Sequence, residues 1–368
     1  MNPRPTAYET VALPLSYQGN STSLIVNFNN IYDMQEAMLW IREGKKIKCE
    51  LCAWRCLIPE GEAGICKVRV NKDGILYTKN YGKIVYMDVD PIEKKPLFHF
   101  YPGSQTLSIS SVGCNFKCQF CINWETSQIV DKITGEKYSP EDIVKIANKK
   151  KIKIIAYTYT EPTIFFEFAY RVSRIAKRYN IKNVFVTNGY ITSEAIKKIG
   201  KYLDAVTVDF KASGNSEFYK KYMGVPNVEP IFDSLKNFHK HRVFIEISNL
   251  IIPGVGDSQE DNRKLVEWIV ENLDSSIPYH LVGFSPCFNM SNVQPTTLET
   301  LEKLANDAKI IGLRYPYIGN IWGSSYENTF CYNCGYKVIE RTGVFINNIE
   351  LEKDRCPNCG FKINIIKD

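Results

Sequence analysis

The stretch that most constrains this chain of 368 residues is Gly113-Cys114-Asn115-Phe116-Lys117-Cys118-Gln119-Phe120-Cys121-Ile122-Asn123-Trp124. Its cysteines, spaced Cys-x3-Cys-x2-Cys, follow a strand-like run over 106–112. Three thiolates from one tight loop can ligate a [4Fe-4S] cube and leave its fourth iron open to a small molecule. A closed zinc site needs a fourth cysteine or histidine nearby, and none follows Cys121 for many residues. Phe116, Phe120 and Trp124 are placed to shield such a cluster from water.

The twelve cysteines fall into groups of four, three, one and four. Recurrent Cys-x2-Cys pairs read as metal ligation in a reducing compartment, not as a disulfide framework, so a cytoplasmic location is expected. Residues 1–30 have no signal-peptide layout, and no run approaches the ~20 apolar residues of a membrane span. The net charge is +6 with scattered Lys and Arg, which describes a solvated surface better than a nucleic-acid groove. Cys49, Cys52, Cys56 and Cys66 form a metal site by spacing. Structural zinc ranks first there and a second iron–sulfur cluster next. Cys331, Cys334, Cys356 and Cys359 are two Cys-x2-Cys-Gly knuckles and read as a zinc ribbon, with rubredoxin-type iron as the minor alternative.

Along the chain, residues 1–30 look irregular and 32–44 (YDMQEAMLWIREG) carries helical spacing ending in Gly. The run 68–86 reads as a hairpin turning at Asn71-Lys72-Asp73-Gly74, and 90–103 as a Pro-punctuated connector. Strands are expected at 106–112, 153–159, 182–187, 204–210, 242–251 and 279–285. Helices are expected near 140–150, 162–179, 192–200, 229–240, 258–273 and 296–310. Six βα units give an α/β fold, a partial (β/α)6 TIM-like barrel whose functional loops follow the strand C-termini. The expected divisions are an N-terminal extension (1–45), a four-cysteine segment (46–104), the barrel (105–325) and the ribbon as a separate module (326–368).

Successive strand ends carry Glu161 in Tyr157-Thr158-Tyr159-Thr160-Glu161-Pro162, Asn188 in Thr187-Asn188-Gly189, and Asp209-Phe210-Lys211. Leu250 to Asp257 follows, and then His280 opens the last expected strand. An acidic residue at a strand end can take an ammonium, and Asp209 and Lys211, two apart, share a face. Each signal alone is common; the ordered set is specific.

That loop and order resemble the radical S-adenosylmethionine (SAM) superfamily, within it the pyruvate formate-lyase activase branch, and most closely the "AmmeMemoRadiSam system" subfamily. The resemblance covers about Cys49 to Cys359 and includes Tyr317-Ile318-Gly319-Asn320. It implies that Cys114, Cys118 and Cys121 bind the [4Fe-4S] cluster. Glu161, Asn188, Asp209, Lys211 and His280 would line the SAM pocket, with Lys211 and His280 as the catalytic candidates. It further implies reductive cleavage of SAM, a 5′-deoxyadenosyl radical that abstracts hydrogen, a reductant such as ferredoxin or flavodoxin, and a protein glycine as target. The chain departs from the family pattern at Phe284-Ser285-Pro286-Cys287-Phe288, where an acidic Phe-His-Pro-Asp-like run is expected.

Plainer readings stand beside these. His99, His239 and His241 read as structural or surface histidines, Lys149-Lys150-Lys151 as a solvated helix end, and Glu167 as a surface residue. Tyr157 and Tyr159 read as packing residues on one strand face, Asp209 and Lys211 as a simple ion pair, and Cys287 as a small buried residue more readily than a reactive thiol. Two rival functions remain: radical modification of a small molecule, peptide or RNA, and a non-catalytic zinc protein that binds nucleic acid.

Overall fold

The computed structural model describes residues 34–130 and 132–367. The irregular reading of residues 1–30 lies outside them. One eight-stranded sheet organises the rest: β1 (Tyr86–Pro91), β2 (Gln105–Ser110), β3 (Ile154–Tyr157), β4 (Lys182–Thr187), β5 (Ala205–Lys211), β6 (Phe244–Ile251), β7 (Tyr279–Gly283) and β8 (Pro316–Gly319). Neighbours in the sheet are neighbours in the chain; β2 to β8 run parallel and β1 pairs antiparallel with β2. Helices α1 (Pro140–Lys149), α2 (Phe166–Arg178), α3 (Ser193–Ile199), α4 (Glu229–Lys240), α5 (Gln259–Asn272) and α6 (Leu298–Ile311) follow β2 to β7 in turn. Ser139, Thr192, Ser258 and Thr297 start α1, α3, α5 and α6, each accepting a backbone N–H three residues on.

The six expected βα units are present within a few residues of their expected bounds. The strand count needs correction, because β8 and β1 extend the sheet at either edge. β8 has only four residues and opens on Pro316, which hides a strand signal in sequence.

The sheet's two faces differ. Leu107, Ile109, Ile155, Val206, Val208 and Ile247 join one core with the helices' Val144, Ala169, Val172, Ile196 and Leu235. The other face carries Ser108, Thr207, Asp209, Glu246 and Ser248, and the connector folds across its lower half. Ile92, Leu97 and Phe100 bury against Ile154, Ala156, Val184 and Ala205. Backbone N–H groups exposed by this irregular segment need partners, because a buried amide without one is costly. Phe98 and His99 donate to Glu246 over 2.9 and 2.7 Å, and Thr207 Oγ1 donates to the Lys95 carbonyl over 2.6 Å. The connector fills the end where the strands begin, so free chemistry gathers at their C-terminal ends.

The helix expected over 32–44 is not formed by its described residues, from Met34 on. Gln35–Glu36 pairs with Ile75–Thr78, and Trp40–Glu43 pairs with Lys46–Cys49 through a turn at Gly44. Pairing with the cysteine-bearing strand overrides a weak helical propensity. The boundary expected at residue 45 therefore falls inside a hairpin turn. The hairpin read over 68–86 forms as Arg69–Lys72 against Ile75–Thr78.

The tail builds its own sheet from Thr329–Phe330, Lys337–Thr342 and Phe345–Ile349. It is not detached: Val338, Ile339, Ile363 and Ile365 share a core with Phe98, Tyr315 and Tyr317. Buried Arg341 donates to the Phe98 carbonyl over 2.8 Å. Among the described residues no helix is long and apolar enough to cross a membrane.

Candidate active site

β2 leads into Gly113, at φ +104°, where a Cβ would come within 2.9 Å of Val68 Cγ1. Only glycine fits that turn, and it sets the course of the three-cysteine loop. Segments following four strands then fasten the loop. After β3, the Tyr159 carbonyl accepts from Asn123 Nδ2 over 2.7 Å. After β4, Asn188 Nδ2 donates to Asn115 Oδ1 over 2.7 Å and lies 4.0 Å from Cys114 Sγ. After β5, the Met223 and Tyr222 carbonyls accept from Lys117 and Gln119 N–H over 3.0 and 2.9 Å. After β7, Asn289 N–H donates to the Gln119 carbonyl over 2.9 Å, and Phe288 stacks on Trp124 at 4.8 Å. Phe116 and Phe120 are buried against Tyr190 and Phe218, as a water shield requires.

The three thiols share one electrostatic neighbourhood with Glu161 and Lys211. Burial pushes the Cys118 thiol up to about 12; Cys121 adds to this and Lys211 opposes it. Burial, then Glu161 and Cys118, raise Cys114 well above its ordinary value. Soft donors crowded in this way exchange protons for a thiophilic cation. Among the described residues only the C-terminal quartet brings three or more ligand atoms within 4.8 Å of one another. The loop trio is not gathered in that way. It suits a cube, whose thiolates sit on separate irons.

Glu161 is buried, and burial raises its pKa. Its carboxylate accepts from Thr163 N–H and Oγ1 over 3.0 and 2.5 Å, from Thr187 Oγ1 over 2.7 Å, and from Asn188 N–H over 2.8 Å. With four donors it ties the end of β3 to β4 and positions Asn188. Asp209 accepts from Ser248 Oγ and lies 3.4 Å from Lys211 Nζ, both side chains about a quarter exposed (27% and 21%). The pair is an ion pair, and the Lys211 charge opposes the rise of the Cys118 pKa.

Among the described residues no hydrogen bond or ion pair joins the His280 side chain to this group, although His280 lies in register with Ser248, the donor to Asp209. His280 is 2% exposed, its Nε2 lies 2.7 Å from Glu246 Oε2, and its ring stacks on Tyr317. Two further expectations are corrected. Glu167 is buried, not on the surface, and accepts from Arg69 Nη2 over 2.5 Å. Tyr157 and Tyr159 do not share a strand face, because β3 ends at Tyr157 and Tyr159 has φ +64° with its hydroxyl on Asp90 at 2.7 Å. His99 is structural as read: its Nδ1 lies 2.6 Å from the Asn364 carbonyl and its Nε2 2.6 Å from Tyr317 OH. Cys287 is half-buried beside the loop, its thiol donating to the Phe120 carbonyl over 3.4 Å, and burial and Cys121 raise its pKa.

Sequence reasoning missed Asn115, Ser248 and Trp54. Asn115 and Trp54 lie inside the two cysteine motifs, which was the available signal; nothing local marks Ser248.

In the tail, Cys331 and Cys359 Sγ are 3.6 Å apart and Cys334 and Cys356 Sγ 3.7 Å. Gly335 and Gly360 close equivalent turns, each N–H on the first cysteine's carbonyl at 2.9 Å. Tetrahedral bonds of about 2.3 Å from thiolate to zinc set such edges near 3.8 Å.

Residues 108–269 match the family described as "Radical SAM superfamily". The chain belongs to that superfamily. Members carry an iron–sulfur cluster and use SAM. A Methanocaldococcus jannaschii protein named "Uncharacterized protein MJ0808" is 42% identical over 337 residues, covering 90% of this chain and 100% of that one. A pyruvate formate-lyase-activating enzyme of Clostridium pasteurianum is 25% identical over 194 residues, covering 50% of this chain and 79% of that one. Streptococcus suis SuiB bound to S-adenosylmethionine aligns with a TM-score of 0.47 at 18% identity, covering 63% of this chain and 54% of that one.

Proposed function

We propose that this chain cleaves SAM reductively to generate a radical on a glycine of a partner protein. The carrying observation is the fastening of the Cys114–Cys121 loop by segments that follow four strands, with Asn188 against it and the Lys211 charge opposing the rise of the Cys118 pKa. Cys114, Cys118 and Cys121 hold the cluster in this reading. Cluster and SAM together supply one-electron cleavage of a sulfur–carbon bond and the hydrogen-abstracting 5′-deoxyadenosyl radical.

The chain's own residues bind and orient. Lys211 offers its ammonium to a carboxylate, Asp209 its carboxylate to an ammonium or hydroxyl, and Asn188 an amide already turned to the loop. Glu161 acts through Asn188 as a positioning residue. His280 supports the floor through Glu246. Phe116 and Phe120 exclude water from one side of the loop. The tail quartet is proposed as a structural zinc site, on its 3.6 and 3.7 Å edges. A low-potential ferredoxin or flavodoxin is the proposed electron donor, and the activating-enzyme relative supports a protein target.

Electron paramagnetic resonance on anaerobic native-host extract, given this protein, SAM and a strong reductant, tests the proposal. A persistent glycyl doublet that requires SAM is expected. 5′-Deoxyadenosine accumulating with no protein radical would overturn the glycine target and favour modification of a small molecule, peptide or RNA.

A further inference from the structure

The N-terminal cysteines are gathered less closely than the zinc-sized cage in the tail. Cys49, Cys52, Cys56 and Cys66 line one narrow cavity, closed further by Ile58, Ile164 and Trp54. Cys49 and Cys56 meet across a backbone hydrogen bond of 2.9 Å, Cys52 bridges to Ile191, and Cys66 packs in a small core with Val68, Val112 and Ile164. Among the described residues, no three of these ligand atoms gather within 4.8 Å, as the tail quartet does. Four thiolates on a single zinc ion would have to stand near 3.8 Å apart. Thiolates on the four irons of a cube stand farther apart and surround a volume instead of a point.

A second observation comes from the cavity's polar lining. Arg69 and Asn115 are each 1% exposed, and both line the cavity. Each keeps a buried N–H donor without a protein partner, Nε of Arg69 and Nδ2 of Asn115. Unpaired buried donors are costly and call for an acceptor. Arg69 also gives Nη1 to Cys49 Sγ at 3.3 Å. A group that is anionic and carries sulfur acceptors on several sides answers both donors. A metal ion wrapped in four thiolates offers fewer such acceptors.

We infer that Cys49, Cys52, Cys56 and Cys66 ligate a second [4Fe-4S] cluster, not zinc. All four of its irons are capped by thiolate, so it takes no substrate and serves as a one-electron carrier. Asn115 sits between the two sites: its side chain lines this cavity, and its neighbour Cys114 belongs to the three-cysteine loop. An electron from a low-potential ferredoxin- or flavodoxin-type donor thus has a cluster beside the loop on which to rest.

The inference does not depend on the SAM reading, and its test separates the two. The full chain carrying Cys114→Ala, Cys118→Ala and Cys121→Ala is purified anaerobically, and its iron and zinc are counted with Mössbauer and electron paramagnetic resonance spectra. About four iron as a [4Fe-4S] species and one zinc per chain are expected. Less than about one iron with two zinc per chain would overturn the inference. The same count on the wild-type chain decides the matter should the variant not fold: about eight iron and one zinc are expected, against about four and two.

Discussion

The Trp54 indole Nε1–H donates to the backbone carbonyl of Asn115 over 2.8 Å. A residue set between Cys52 and Cys56 thereby holds the residue that follows Cys114. Through Trp54 and Asn115, 61 residues apart in sequence, the two cysteine motifs are one piece of structure. Trp54→Phe keeps the packing and removes the bond, so a loss of about 1 kcal/mol in unfolding free energy is expected. SAM-dependent 5′-deoxyadenosine formation should slow as the loop loosens. An unchanged rate and an unchanged midpoint together would show the bond to be incidental.

Buried Arg69 and Glu167 join the quartet segment to α2 across 2.5 Å. Breaking a buried pair by removing one charge costs about 3–5 kcal/mol, because the partner is stranded. Glu167→Gln is therefore expected to be strongly destabilising in chemical denaturation, where a surface glutamate would cost almost nothing. A midpoint equal to wild type would return Glu167 to the surface role its sequence context suggests.

Gly113→Ala adds a methyl 2.9 Å from Val68 Cγ1 at a positive φ. Strain of this kind costs on the order of 1–3 kcal/mol. Lower iron occupancy of the loop cluster is expected, and Val68→Ala should recover the part due to the clash but not the part due to φ. Full iron in the single variant would contradict this.

His99 gives a pH dependence of known sign. Burial lowers its pKa from 6.5 to about 4, as it sits neutral between the Asn364 carbonyl and Tyr317 OH. The folded chain takes up its proton later than the unfolded chain, so this stability is full above pH 6.5 and is lost as pH falls towards 4. The loss is on the order of 3 kcal/mol. Thermal midpoints of wild type and His99→Gln should converge as pH is lowered through that window. Parallel curves would deny His99 the role.

Much of this was legible in sequence, for identifiable reasons. β2 to β7 and their helices showed because buried parallel strands and amphipathic helices impose clear periods, and the Ser and Thr caps mark helix starts. The three-cysteine loop showed because ligand spacing is covalent. β8 did not, being four residues opening on proline. The pairing of Trp40–Glu43 with Lys46–Cys49 did not, because the same residues also satisfy a helical period. Glu167 looked exposed because its partner Arg69 lies 98 positions away. His280 had the right residue type at a strand, but not the depth: Glu246, supplied by the next strand over, holds it at the floor.

The most direct test of the central claim is 5′-deoxyadenosine formation by the anaerobically reconstituted chain with SAM and dithionite, beside its Cys118→Ala variant. The wild-type chain should form the product only when both SAM and reductant are present, and the variant should form none. Product from the variant, or none from a wild-type chain with its iron intact, would contradict the assignment of the loop.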